Sequence, residues 1–193
     1  MNDRQFLIRW IRATWAGWLL GIPFVIVLAL LGEVIGIGGA QVMVGAGMGL
    51  GIGLMQGRVV RGLIKKAAPW RWSCIIGLAL PFLLTDISKI VGLHLPYSLQ
   101  LAVALGGLTA GLWQAVLLRS HFHKTWSWAA MSALGWALAA GTAAMSDYLF
   151  QSRLLQGLWG ALAFLGIIGI GGLVLGLVTA VSFAWMLRYK PAA

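Results

Sequence analysis

The sequence predicts an all-α integral membrane bundle of six transmembrane helices, built from three tandem two-helix hairpins with both termini on the cytoplasmic side. Three observations carry that prediction. Of 193 residues, 61% are hydrophobic and only 9% charged, whereas a soluble domain carries about a quarter charged residues to keep its surface wet. The apolar residues gather in runs long enough to cross about 30 Å of hydrocarbon, which takes roughly 20 residues of helix. Lys and Arg collect at one set of run ends.

The runs cover residues 13–31, 41–60, 72–88, 99–118, 126–146 and 158–187. The first follows Arg4, Arg9 and Arg12. It is longer than the apolar core of about 7 to 15 residues in a secretory signal, and no small-x-small site leads from it into a soluble domain, so it reads as a retained helix. The second carries Gly45, Gly49 and Gly53 on one helical face, where small residues let helices approach closely. In the third, Pro81 removes a backbone donor and predicts a kink. Its clean apolar stretch stops at Thr85, before Asp86 and Lys89. The fourth holds Gly107 and Gly111, and the fifth opens on Trp126 and Trp128. The sixth is too long for one straight span, and Gly169, Gly171 and Gly172 predict either a bend or an interfacial start.

Orientation follows from the rule that Lys and Arg stay on the cytoplasmic side of short loops. One set of ends holds Arg4, Arg9, Arg12, Arg58, Arg61, Lys65, Lys66, Arg71, Arg119, Lys124, Arg188 and Lys190. The other holds only Lys89 and Arg153, with the acids Glu33, Asp86 and Asp147. The expected location is a bacterial inner membrane or a thylakoid membrane. Trp10, Trp70, Trp72, Trp126, Trp128 and Trp185 lie on the basic side, as rings anchored at headgroup level would. The formal charge of +10 is accounted for by orientation and by contact with anionic lipid headgroups. No nucleic-acid-binding signature accompanies it.

A repeat runs through the chain. Gly49, Gly53, Gln56 and Arg61 recur 58 residues later as Gly107, Gly111, Gln114 and Arg119. Trp10, Thr14, Gly17 and Trp18 align with Trp128, Ser132, Gly135 and Trp136, and Trp70 or Trp72 with Gly77 forms a looser middle copy. Gly172 and Gly176 echo the glycine pair in the sixth helix, but no glutamine follows. The single transmembrane domain, 1–193, thus divides into hairpins near 9–66, 70–124 and 126–190. Parallel repeats of this kind relate by an axis along the membrane normal, which predicts approximate threefold character with the glycine-lined even helices innermost. The G-x-x-x-G-x-x-Q-x-x-x-x-R run followed by a tryptophan-rich helix resembles uncharacterised polytopic membrane proteins common in cyanobacteria. That resemblance implies a polytopic membrane fold and brings no activity to any residue.

Gln56 and Gln114, with Thr109, are the candidate polar contacts or ligand-lining residues. They read either as glue between helices, at about 0.6 kcal/mol per bond, or as the lining of a solute path or a ligand to a pigment or lipid headgroup. Threefold packing would bring Glu33, Asp86 and Asp147 toward one outer ring, with Lys89 and Arg153 as partners. If the third span extends to Val91, Asp86 pairs with Lys89 one turn away. His121 and His123 lie on the opposite side from His94, too few for a metal site that needs three or four ligands. The one cysteine, Cys74, has no partner for an intrachain disulfide and reads as a small buried or interfacial residue. No phosphate loop, nucleophile elbow or zinc-protease helix occurs, so no cofactor, metal or catalytic residue is expected.

The expected function is noncatalytic, an accessory or scaffolding subunit of a membrane complex or a lipid- or pigment-organising protein. Its expected partners are membrane lipids, with other membrane subunits or a second copy of the chain. The alternative is a small-solute transporter or the membrane substrate-binding part of one, since repeats and six spans are common transporter elements. A dry, glycine-packed interior favours the first. A wet pocket lined by Gln56, Gln114 and Thr109 favours the second.

Overall fold

Hydrocarbon offers no water to bond the backbone, so a chain this apolar must satisfy its N–H and C=O groups within helices. A computed structural model describes residues 2–64, 67–93, 96–152 and 156–189. Arg153, Lys65, Lys66, His94 and Lys190 lie outside the described residues. The helices are α1 (Asp3–Val34), α2 (Val42–Val60), α3 (Ala68–Ile90), α4 (Ser98–Leu118), α5 (Trp126–Gln151) and α6 (Gly157–Arg188). All six are long and apolar enough to cross a membrane, the build of a multi-pass membrane protein.

Helix ends depart from the apolar runs because hydropathy marks the hydrocarbon, not the helix. α1 starts well before residue 13, at Asp3, where the Asn2 side chain accepts a hydrogen bond from the Arg4 amide at 3.3 Å. With 32 residues it is about 48 Å long, more than the hydrocarbon requires. α6 is one continuous helix of 32 residues through its glycine cluster. Those glycines serve contact: a Cβ on Gly172 would lie 2.6 Å from Trp18 Cβ, and one on Gly176 3.2 Å from Ile11 Cα. α3 continues through Pro81 to Ile90. Proline at that position frees the carbonyl of Gly77, four residues earlier, and the Thr109 hydroxyl of α4 donates to it.

Each helix packs chiefly on its two chain neighbours, and α6 closes back on α1. The result corrects the expectation of inner even helices: the six form one closed ring with no helix inside. Within it a pattern of close approach recurs. Gly49 and Gly53 of α2 face the backbone of α3 at Cys74 and Arg71; Gly107 and Gly111 of α4 face Trp136 and Ala129 of α5; Gly172 and Gly176 of α6 face Trp18 and Ile11 of α1. The approach inside each pair is similar, with Gly17 on Ile52, Gly77 on Ala110 and Gly135 on Leu175.

The starts of α1, α3 and α5 and the ends of α2, α4 and α6 share one end of the ring, here the terminal end. At the far end, Asp86 accepts from the amides of Gln41 (2.9 Å) and Val42 (2.8 Å), satisfying the first donors of α2. Both its oxygens are taken there rather than by Lys89, which is exposed.

Because a Cβ at Gly49 would stand 2.5 Å from the Cys74 carbonyl oxygen, Gly49→Leu should destabilise the protein by about 1–3 kcal/mol through overpacking. Gly166→Ala, with nothing near its Cβ position, should leave the thermal midpoint in detergent unchanged or slightly raised. Equal effects would mean that the glycine contacts do not hold the ring.

Candidate functional site

A ring of six helices leaves an axis that side chains must fill, and the odd helices supply it at four-residue intervals. Nearest the terminal end, Trp10 (α1), Trp70 (α3) and Trp128 (α5) meet with ring centroids 5.9, 5.5 and 5.7 Å apart, almost an equilateral triangle. All three are at most 1% exposed. They are therefore not the headgroup anchors expected from sequence; among the tryptophans of that end, Trp72, Trp126 and Trp185 are the exposed ones. Phe183 of α6 stacks 4.7 Å from Trp10 and 4.6 Å from Trp128, and Phe6 meets Phe183 at 5.1 Å.

A buried indole N–H without an acceptor is costly, and each even helix provides one. Trp70 Nε1 donates to Gln56 Oε1 (3.3 Å), Trp128 Nε1 to Gln114 Oε1 (2.8 Å) and Trp10 Nε1 to Thr179 Oγ1 (2.9 Å). The glutamines then donate onward, Gln56 Nε2 to Thr14 Oγ1 at 3.0 Å and Gln114 Nε2 to Cys74 Sγ at 3.2 Å. Thr179 is too short to reach across and donates to the Leu175 carbonyl of its own helix at 2.7 Å. Thr179 is thus the third member of the set. The glycine register pointed to it, since it follows Gly176 as Gln56 follows Gly53 and Gln114 follows Gly111. At this place the third pair has threonine where the other two have glutamine.

Between these amides and the next layer lies a small cavity of about 10 Å³, lined by Gln56, Cys74, Gln114, Ser132 and Thr179 among others. That is the room of roughly one water. Above it Trp18, Leu78 and Trp136 form a second layer, with the two indoles 5.7 Å apart. Beyond that layer the axis widens into a cavity of about 200 Å³ lined from all six helices, including Ile22, Met48, Phe82, Val103, Ala140 and Ile168. Gln100 and Asp147 also line it.

The remaining candidates have separate places. Thr109 serves the Gly77 carbonyl freed by Pro81, and its oxygen is also within reach of the Leu105 (3.0 Å) and Gly106 (3.1 Å) carbonyls. It is absent from the lining of both axial cavities. The Glu33 carboxylate lies against Gly38, where a Cβ would collide with it. Asp86 caps α2 and Asp147 lines the wide cavity. Among the described residues no three His, Cys, Asp or Glu side chains are grouped to hold a metal. Chemically, the indole N–H groups and the side chains of Gln56, Gln114 and Thr179 satisfy one another's donors and acceptors across the axis.

Comparison with protein-family models, curated proteins and solved structures gives no match.

If Trp128 and Gln114 act as a bonded pair, Trp128→Phe and Gln114→Leu should show a double-mutant coupling of about 0.6–1.7 kcal/mol in detergent unfolding. Additive effects would mean that the 2.8 Å bond contributes nothing beyond packing.

Proposed function

We propose that this chain is a noncatalytic inner-membrane or thylakoid protein of the lipid- or pigment-organising kind, which holds the apolar part of such a molecule in its wide axial cavity. The observation that carries this reading is the dead-ended form of the cavity. About 200 Å³ of space faces mainly apolar side chains, and two aromatic layers with the amide set between them close it below. An apolar cavity of that size disfavours water and takes an apolar guest. The same closure weighs against passage of a small polar solute, which would require Trp10, Trp70 and Trp128 to part and break three indole bonds. The transporter alternative predicts solute flux in liposomes, and the present reading predicts none.

The recurrence of the indole, glycine and acceptor positions supports three tandem hairpins about one axis. The concentration of Lys and Arg at the terminal end supports a cytoplasmic location for both termini. Partner subunits would pack on the lipid-facing surface, where exposed tryptophan and leucine side chains are plentiful.

Ala144 lines the cavity without belonging to either aromatic layer. Ala144→Phe should displace a co-purifying apolar molecule, read by native mass spectrometry of gently extracted protein, while the thermal midpoint stays within a few degrees. Full retention of the molecule in a cavity-filled variant would place it elsewhere. For orientation, cysteines introduced at the exposed positions Val34 and Phe150 in a Cys74→Ser background should react with impermeant reagent from outside the cell only. Labelling from the cytoplasm would invert the assignment.

A further inference from the structure

Two of the three acceptors around the indole triangle pass a hydrogen bond on across the axis, and the third does not. Gln56 of α2 takes the indole of Trp70 on the helix that follows it and gives its amide to Thr14 on the helix that precedes it. Gln114 of α4 does the same between Trp128 of α5 and Cys74 of α3. Thr14 and Cys74 each stand four residues after an axial tryptophan, and the residue in that place after Trp128 is Ser132. Thr179 of α6 takes the indole of Trp10, but its hydroxyl hydrogen returns to the Leu175 carbonyl of its own helix. No carboxamide therefore reaches from α6 to Ser132 as Gln56 reaches to Thr14.

Ser132 is only 3% exposed, and among the described residues its hydroxyl meets no hydrogen-bond partner. A buried hydroxyl in that condition is costly, the more so in a low-dielectric surround. It faces the small cavity between the indole triangle and the Trp18 layer, whose volume of about 10 Å³ is the room of roughly one water. Every residue of that lining is at most 6% exposed.

The chemistry of the lining matches one neutral molecule that both donates and accepts. Such a water needs two to four polar partners, and three lining residues keep bonding capacity. The Ser132 hydroxyl is unused, Gln114 Oε1 has a second lone pair beyond the one that Trp128 takes, and Thr179 Oγ1 has one beyond that used by Trp10. No Asp, Glu, Lys, Arg or His belongs to the lining, so an ion there would meet no opposite charge, and burial of an uncompensated charge is prohibitive. The volume excludes anything larger.

We propose that this cavity is a binding site for a single structural water, which stands where a third carboxamide would and joins Ser132 of α5 to Gln114 of α4 and Thr179 of α6. The water completes in solvent the circuit that the first two acceptors complete in covalent side chains. It seals the third part of the polar layer whatever the wide cavity holds.

The test determines crystal structures of the full chain and of Thr179→Gln from a lipid mesophase, at a resolution that shows ordered waters, and follows thermal unfolding in detergent. The wild type should show a density peak within hydrogen-bond distance of Ser132 Oγ and of Gln114 Oε1 or Thr179 Oγ1. In Thr179→Gln that peak should be gone, with the new amide nitrogen bonded to Ser132 and the new carbonyl oxygen accepting from Trp10. Absence of density beside Ser132 in the wild type, or a Ser132 hydroxyl turned onto a carbonyl of its own helix, would overturn the site. Unfolding reads the same question by its sign. Ser132→Ala should lower the midpoint by about 2–4 °C, because the water loses a partner. A dry cavity would make the unbonded hydroxyl a burden, so an unchanged or raised midpoint counts against the water. Should Thr179→Gln fail to elute as a monodisperse species, the wild-type density and the Ser132→Ala midpoint decide without it.

Discussion

A closed ring of six helices encloses an axis with no backbone on it, and most features of this protein are responses to that constraint. The helices close the ring by close approach at glycine, against backbone at Gly17, Gly49 and Gly51 and against the tryptophan side chains at Gly107 and Gly172. The bulk then goes inward. In the terminal half the axis is filled by Trp10, Trp70, Trp128, Phe6 and Phe183. Indole fills such a space well, yet each one brings an N–H that hydrocarbon cannot satisfy. Gln56, Gln114 and Thr179 are the consequence of choosing indole.

Toward the far end the axial positions are small, among them Gly45, Ala140, Ala143 and Ala144, and the same ring geometry leaves an open cavity. The axis thus has a packed half and a hollow half, divided at Trp18, Leu78 and Trp136. A carbonyl freed by Pro81 is met by Thr109 in the packed ring wall, and the unpaired amides at the start of α2 are met by Asp86. Polar residues here mostly answer a specific backbone or indole group, which is what a low-dielectric surround enforces.

The α1–α2, α3–α4 and α5–α6 pairs differ in what their polar residues serve. The third replaces glutamine with threonine, leaving Ser132 facing the small cavity. Among the described residues, the α3–α4 pair alone combines a helix-interior proline with a threonine hydroxyl from the partner helix to serve the freed carbonyl.

Hydropathy and charge in the sequence determined that the described residues hold six helices long and apolar enough to cross a membrane, roughly where each lies, and which set of ends is basic. These are transfer properties, summed locally along the chain. The sequence also singled out Gln56, Gln114 and the glycine pairs, because repetition needs no structure to be seen. Only the tertiary structure decided that the helices form a ring without a centre, that Trp10, Trp70 and Trp128 face the axis rather than the headgroups, and that Thr179 completes the acceptor set. Lipid-facing and axis-facing residues are equally apolar, so hydrophobicity carries no inside or outside in a membrane. Direction is set by which backbones can touch, and that is a property of helix pairs far apart in sequence, α6 against α1 above all.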